Sequence, residues 1–576
     1  MSKIKRKKAD KSFVIKEFDG LRDDAESAQS GAVRIRNFQF SPGKALEKRP
    51  GYRESLVFDQ NIRTFWHSTV LSLPGDFALV GSQILYCPEN GSPVSFGSVG
   101  NAQGEAKFFV YRDYLYLATS CSLYVCDLQE RRFSEAYGYA PVFGEDWNPS
   151  TGTGDVKEPL NLFSSRIRVR YFCPIGTQTV YLPFPGESVE SVTSNDVAIP
   201  FTHTAGARFI TLTSAVSSVM RIEVAYTMTS VWSPLRESIA SCTIPYSFRK
   251  DDKEYLYLAG GDVGFRVYSA SQLNSEQFTG SRARFPDSDP LYFKATSVLY
   301  LGDQTHPVTA FARQNNRVIA FGSSGAWSIW RGNEGDTVEA YPLESCPGCV
   351  SREGALSVGD ELLVLSAAGL CALRATTADK DRFSVELLSG KISKILGNFD
   401  WAHALILYDP IKDLVLIRDP SETSEGLVYL YNRSLKCWTC WNDIKASLLL
   451  ASPDGKVVFC YEKKVYVFED ALRTDRGRPY GCVYESGALS FDSPEVWKRT
   501  LRVFAEVSGD DDEMFELKIY SEQNENRGCW YCIQDVFPEH FECKLAGGRF
   551  RNFFYRITTY GEGKVKIHRL GCYGTH

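Results

Sequence analysis

The chain contains no run of about eighteen apolar residues, the length a helix needs to cross a bilayer, so its sequence predicts no membrane-spanning helix. Methionine is scarce, at four residues in 576, and the seven histidines are dispersed without an HExxH pair. There is no G-x-S-x-G elbow and no repeated S-x-D-x-G-x-x-W box, so neither a hydrolase nucleophile turn nor a sialidase signature can be read from it. The N-terminal MSKIKRKKADKSF carries the charge of a signal-peptide n-region, but no apolar segment follows, and we expect a chain made in cytoplasm. Sixteen cysteines are too dilute for a disulfide scaffold. Many of them fall inside strand-like runs, where a reduced thiol acts as a small hydrophobe. A net charge of −5 provides no global basic field to recruit nucleic acid.

What the chain does have is aromatic, β-prone sequence arranged in a repeating unit. Residues 456–470, KVVFCYEKKVYVFED, read as a tight hairpin: two β-prone runs around the polar turn Glu462, Lys463 and Lys464. Such a hairpin is marginal alone and must bury its apolar face against neighbours of its own kind. The unit is found at 76–87, 114–127, 254–269, 317–331, 361–374 and 414–432 as well, making seven copies. Most starts lie about 40–60 residues apart, near the spacing of four-stranded propeller blades. The expected fold is all-β, a β-propeller of six to seven blades, with a generic multi-sheet β protein as the other reading.

The long gap between the second and third hairpins predicts an insertion. Short alternating runs within 166–232 (VRYF, TVYLPF, RFITLT and RIEVAY) read as a small β-sandwich, and the Pro- and Gly-rich stretch before it reads as an exit loop. The expected division is an N-terminal arm at 1–52, propeller at 53–150, an inserted β domain at 151–235, propeller again at 236–480, and a C-terminal β domain at 481–576. The basic run Lys3, Lys5, Arg6, Lys7, Lys8 and Lys11 reads as a solvated tail. The arm as a whole is polar enough to become ordered only by docking on a neighbour.

Candidate chemistry is thin. Cys346/Cys349, Cys437/Cys440 and Cys529/Cys532 have C-x-x-C spacing, but residues i and i+3 on a strand point to opposite faces, so only Cys346/Cys349, on a turn, could grip a metal. No histidine or second pair completes that site in sequence, and all three pairs read as structural thiols. His203 and His306 lie in loop-like surroundings. Asp262, Asp287, Asp289, Asp360 and Asp409 fall near hairpin turns or strand ends, where a propeller hydrolase would place its acids and where Asp more commonly caps a turn. Asp454-Gly455 is a turn dipeptide. We expect no catalytic, cofactor-binding or metal-binding residue, no cofactor, and no enzymatic activity.

Several segments, in a shared order, resemble the β-propeller tail stabilisation or tail nozzle proteins of short-tailed phages. At the start these are Gly20, Asp23, Asp24, Asn37 and Phe38, then Leu46, Arg49, Pro50, Gly51 and Tyr52, matching L-x-x-R-x-G-Y. Tyr139, Pro141, Gly152, Gly154, Glu158, Asn161 and Leu162 follow, then Gly348, Cys349, Asp360, Leu365, Ser366 and Gly369, where the residues after the cysteine depart from the family's pattern. The stretches from Gly487 onward are similar to the family's terminal β domain. The resemblance implies a structural virion protein in a homo-oligomeric ring of six subunits around the DNA exit channel. It would lie below the portal and adaptor, with other tail proteins as partners and DNA passing without specific binding. Two alternatives stay open: a protein recognising host-surface glycans, and a propeller-type glycoside hydrolase.

Overall fold

In this computed structural model the described residues run from 11 to 575, apart from 25–29, 69–72, 90, 101–102, 230–234, 251, 315–316, 332–336, 377–381, 491–494, 496, 498, 511–512, 522–530, 537–539 and 545–550. The basic run at 3–8 and Cys529 lie outside them, as does the side chain of Cys532. The chain is all-β, with short helices at Arg236–Ala240 and Ser275–Arg284. No helix among the described residues is long and apolar enough to cross a membrane. Two compact units are formed, the first from 1–62, 350–374 and 384–576, the second from 63–349 and 375–383.

All seven hairpins read from the sequence are present: six supply the second and third strands of four-stranded sheets whose neighbours follow in chain order, and the seventh lies in a larger sheet of ten strands. Four of these sheets lie in the second unit, with central pairs Gly75–Val80/Gln83–Pro88, Tyr114–Thr119/Leu123–Asp127, Lys253–Ala259/Arg266–Ser269 and Arg317–Gly322/Ala326–Arg331. The other three, in the first unit, are built on Glu361–Ser366/Gly369–Ala375, Leu414–Arg418/Val428–Asn432 and Val457–Tyr461/Lys464–Glu469. The last lacks a fourth strand of its own, and Gly51–Val57, some 400 residues upstream, supplies it by pairing antiparallel with Lys464–Glu469. In every one of the seven the second strand is buried on both faces, as in Phe77–Val80, Leu362–Ser366 and Leu414–Arg418. A strand can bury both faces only when layers cover its sheet on each side, which is why these runs read as continuous apolar sequence. The turns suit their strands. Arg112 and Asp113, at φ 51° and 60°, close the Tyr111–Tyr114 pair in the sense that matches strand twist.

Between the second and third sheets, Val142–Trp147, Arg166–Cys173, Met220–Met228, Gly186–Ser194 and Val197–Ala198 form a five-stranded sheet in that spatial order. Thr179–Tyr181, Phe209–Leu212 and Phe201–Thr202 form a second sheet. Val169, Tyr171 and Val224 from the first share a core with Val180, Ile210 and Leu212 from the second. The passage expected as an exit loop contributes the edge strand Val142–Trp147, parallel to Arg166–Cys173. Pro141 precedes that strand, and Gly144 sits at a register shift, so neither interrupts a central ladder.

The expected docking arm is different in kind. Lys11–Ile15 and Leu46–Lys48 both pair with Val565–Thr575, Phe38–Phe40 pairs with Leu46–Lys48, and Ala32–Arg36 pairs with Arg478–Ser486. Phe18, Ile35, Phe38 and Leu46 are buried in the same core as Tyr484, Tyr555, Ile557 and Leu570. The segment meets its partner in its own chain, because the 478–575 strands leave edges and an apolar face that these residues cover. Lys48 and Arg49 anchor it. The Lys48 ammonium, fully buried, donates to Glu513 at 2.8 Å and to the Gly561 carbonyl at 2.7 Å. The Arg49 guanidinium makes a two-point bond to Asp475 and donates to Asn37 Oδ1 at 2.9 Å.

Glu513→Leu leaves the Lys48 charge buried without a partner and should lower unfolding stability by about 3–5 kcal/mol, whereas Lys48→Met with Glu513→Leu should recover most of that loss. Urea unfolding of the three proteins provides the comparison. Equal stability of the single and double variants would show that the pair is not buried as described.

Candidate functional site

Several of the residues that carried the family resemblance are joints. Gly20, at φ +81°, lies so close to the neighbouring strand that a Cβ would stand 2.6 Å from the Trp438 carbonyl oxygen. Gly51 is tighter still, with Thr474 O 2.1 Å from any Cβ, so the approach of these backbones requires glycine. Asp23 accepts from Ser393 Oγ and from the N–H groups of Lys394 and Ile395 at 2.7–3.0 Å. Asn37 donates to Gly481 O and accepts from Arg49 Nε and Asn442 N–H, tying three segments together. Tyr52 packs edge-on against Phe459, Tyr466 and Phe468. In the second unit, Tyr139 donates to Glu158 at 2.7 Å, and Glu158 also accepts from Val142 N–H and Gln277. Asn161 uses both ends of its amide, donating to Tyr139 O and Leu291 O and accepting from Phe163 and Phe293 N–H.

The five candidate acids do not converge. Asp262 accepts from Ser238 Oγ at 2.9 Å, and Asp287 pairs with both ends of the Arg166 guanidinium. Asp289 is buried and accepts from Tyr137, Gly138 and Leu291 N–H and from Tyr116 OH. Burial pushes its pKa up while those donors pull it back. Asp360 is exposed in the turn between Val358 and Glu361, and Asp409 caps Ile411 and Lys412 N–H. His203 sits between the Gly186 and Phe209 carbonyls, and His306 against Asp303. Among the described residues no group of three His, Cys, Asp or Glu is placed to hold a metal ion. Cys437 and Cys440 lie on the strand Cys437–Trp441, and Cys346 and Cys349 are both buried. Burial pushes the Cys437 thiol up to about 11 and those of Cys440 and Cys482 to about 12.

The feature that sequence reasoning missed is a cavity of about 370 Å³ in the first unit, lined by residues 394–399, Arg418, Asp419, Ser421, Glu422, Leu427 and Tyr429. Arg418 ends the strand Leu414–Arg418, and its side chain is 1% exposed. Its terminal nitrogens donate to the Asp419 and Glu422 carbonyls, and Nη1 lies 3.5 Å from the Glu422 carboxylate. Its Nε–H meets no acceptor among the described residues. The two carboxylates are satisfied elsewhere. Asp419 accepts from Asp400 N–H, Ser421 N–H and Ser421 Oγ. Glu422 accepts from Ser424 Oγ, Glu425 N–H and Leu427 N–H. Burial pushes the Glu422 pKa up, but those bonds and the Arg418 charge outweigh it and hold the group at about 2. The Phe399 ring forms part of the wall, against Trp401 and Tyr429. The signal in sequence was faint: an arginine closing the apolar run LVLI, followed by Asp-Pro.

No protein-family model matches the chain, and no curated protein sequence matches it. Among solved structures it is similar to PorZ, described as an essential bacterial surface component of the type-IX secretion system of Porphyromonas gingivalis. The identity is 8%, over 89% of this chain and 82% of that one, with a TM-score of 0.25. A likeness that low carries no argument about fold or function.

Two outcomes follow from the thiols and from Glu422. Alkylation of native protein should modify exposed Cys121 ahead of Cys440, Cys482 and Cys572, which are buried with their thiols held near 12. Peptide mass spectrometry reads the order, and early labelling of Cys440 would contradict it. The folded pKa of Glu422 lies below its ordinary 4.5, so its contribution to stability is present above that value and is lost as pH falls toward about 2. Glu422→Gln should therefore be less stable than wild type at neutral pH, with the gap closing as acid is added. A gap that stays constant would rule out that linkage.

Proposed function

We propose that the six four-stranded sheets, with the strands Leu448–Ala451, Val457–Tyr461, Lys464–Glu469 and Gly51–Val57 as a seventh, are blades of a β-propeller, carrying a small inserted β-sandwich and a C-terminal β domain. On this reading the chain is a non-enzymatic structural protein of a short-tailed phage tail. The observation that carries the proposal is the use of the resembling residues: Gly20, Asp23, Asn37, Arg49, Gly51, Tyr52, Glu158 and Asn161 are joints between segments. Joints of this kind suit a stiff wall, whereas a hydrolase would bring its acids together, and the five candidate acids are spread over separate caps and pairs. The propeller reading is supported by the doubly buried second strands and by Gly51–Val57, which completes the seventh sheet from the other end of the chain.

In that role the chain is made in the cytoplasm of the bacterial host and resides in the tail as part of the nozzle or head-to-tail stabilising ring. Six subunits surround the DNA exit channel and contact the portal or adaptor. The net charge of −5 suits a channel wall, since dense Lys and Arg would hold phosphates and slow passage. A second reading, recognition of host-surface glycans, is favoured by one observation. Tyr181 and Phe209 are paired across the smaller inserted sheet, 43% and 44% exposed, with ring centroids 6.1 Å apart. Two adjacent exposed rings offer an apolar face on which a ligand can stack.

Electron cryo-microscopy of intact particles is the deciding test. Ring-shaped density at the tail that the chain fits is the expected result. Density at the host-contacting tip, with glycan-array binding lost in Tyr181→Ala/Phe209→Ala, would favour the second reading. Absence of the chain from particles would sink both.

A further inference from the structure

We infer that one end of the inserted sandwich docks on a lipid bilayer by shallow insertion of its loops. Topology brings four connections to that end. Val142–Trp147 runs parallel to Arg166–Cys173, and Met220–Met228 runs antiparallel to Arg166–Cys173. The chain therefore leaves the first two strands and enters the third at the same end, through 147–154, 172–179 and 213–220. Residues 197–200 join them, since the Thr213 N–H donates to the Pro200 carbonyl at 3.0 Å. Other bonds tie the loops into one surface: Tyr181 N–H to Pro149 O, Gly176 N–H to Val216 O, and Val216 N–H to Thr177 O, at 2.7–2.9 Å. None of the four stretches contains Asp, Glu, Lys or Arg, although those residues make up 23% of the chain. The charges that border them are paired, Arg221 with Asp146 and Arg284 with Asp196. Phe172, Ile175, Val197 and Val219 nonetheless stand 49–69% exposed here. Phe172 and Val219 are diagonal neighbours on one face, because Phe172 is paired with Arg221.

That combination selects the partner. A protein or nucleic-acid surface accommodates charge at its rim, so neither would require four adjacent loops to exclude it. Hydrocarbon does require it, because one ionised side chain cancels the gain from several apolar ones. Backbone groups entering lipid must also find partners within the protein. Here the Thr177 N–H and hydroxyl both donate to the Pro174 carbonyl, the Gly152 N–H donates to the Asn148 carbonyl, and Pro174 has no N–H to satisfy. The serine and threonine hydroxyls among these residues limit entry to the boundary between headgroups and acyl chains. With no basic residue in the loops, attachment depends on apolar contact and not on anionic headgroups. The inference goes beyond the structural role proposed above and does not rest on it.

Phosphatidylcholine vesicles are the probe, with co-flotation of the full-length protein as the readout. Binding at about 1–5 mM lipid is expected, unchanged between about 0.05 and 0.5 M salt. Ile175→Asp/Val219→Asp should weaken it by about tenfold or more. Ile411→Asp, at an equally exposed apolar position in the first unit, should leave it intact. Far-ultraviolet circular dichroism checks that the variants fold, and if the double aspartate variant does not, Ile175→Ser/Val219→Ser and the salt series decide. No flotation at about 5 mM lipid, loss of binding at high salt, or equal flotation of the double variant would overturn the proposal. Sedimentation showing that the wild type self-associates through Ile175 and Val219 without binding vesicles would also overturn it, and would assign this end to a second copy of the chain.

Discussion

Two adjacent cations hold the first unit together. Lys48 and Arg49 are consecutive residues in extended chain and so project to opposite sides. Lys48 reaches Glu513 and Gly561, whereas Arg49 reaches Asp475 and Asn37, and the Tyr480 ring lies against both, 4.7 Å from the ammonium and 4.0 Å from the guanidinium. Neither charge is exposed to water, so each depends on its carboxylate to offset desolvation. A shift of one residue along this strand would exchange the two sides and strand both charges. Burial of the pair thus specifies register where hydrophobic alternation in so short a strand would not.

From that anchor the rest of the first unit follows. The chain leaves Arg49 through Pro50 and Gly51, where contact with Thr474 permits no side chain, and enters Gly51–Val57 along the open edge of the last hairpin. Tyr52 then closes the aromatic cluster of Phe459, Tyr466 and Phe468. Upstream of the anchor, Asn37 at φ 59° turns the chain while its amide bonds Gly481 and Asn442. The polar side chains of the N-terminal segment are therefore its connections to remote parts of the same fold. Local composition suggested instead an arm ordered by docking on a neighbouring protein.

Hairpins were legible because their signal is local: a β-prone run, a polar connection and a second run lie within twelve to nineteen residues, and all seven form. The insertion was legible from the gap in their spacing and from alternation in RIEVAY and RFITLT. Its first strand was not, because Pro141 and Gly144 look like loop residues, and only an edge position makes them tolerable. The candidate acids were legible as turn residues, and in Asp409 the turn cap expected from sequence is present. The cavity could not be read at all. It brings together residues from 394–399 and 418–429, and nothing in either stretch announces that a buried arginine would retain an unmet N–H.

By itself, then, the sequence determined the β class, the seven repeated hairpins and the place of the insertion, since these depend on side-chain periodicity and on turns closed by residues near one another. Tertiary structure decided what the N-terminal fifty residues do, which strands complete the last sheet, and where a cavity opens. Those outcomes rest on pairings across more than 400 residues, such as Lys48 with Glu513 and Val57 with Lys464. A strand edge or a buried charge selects its partner by complementarity of register and charge in space. That choice leaves no periodic trace along the chain.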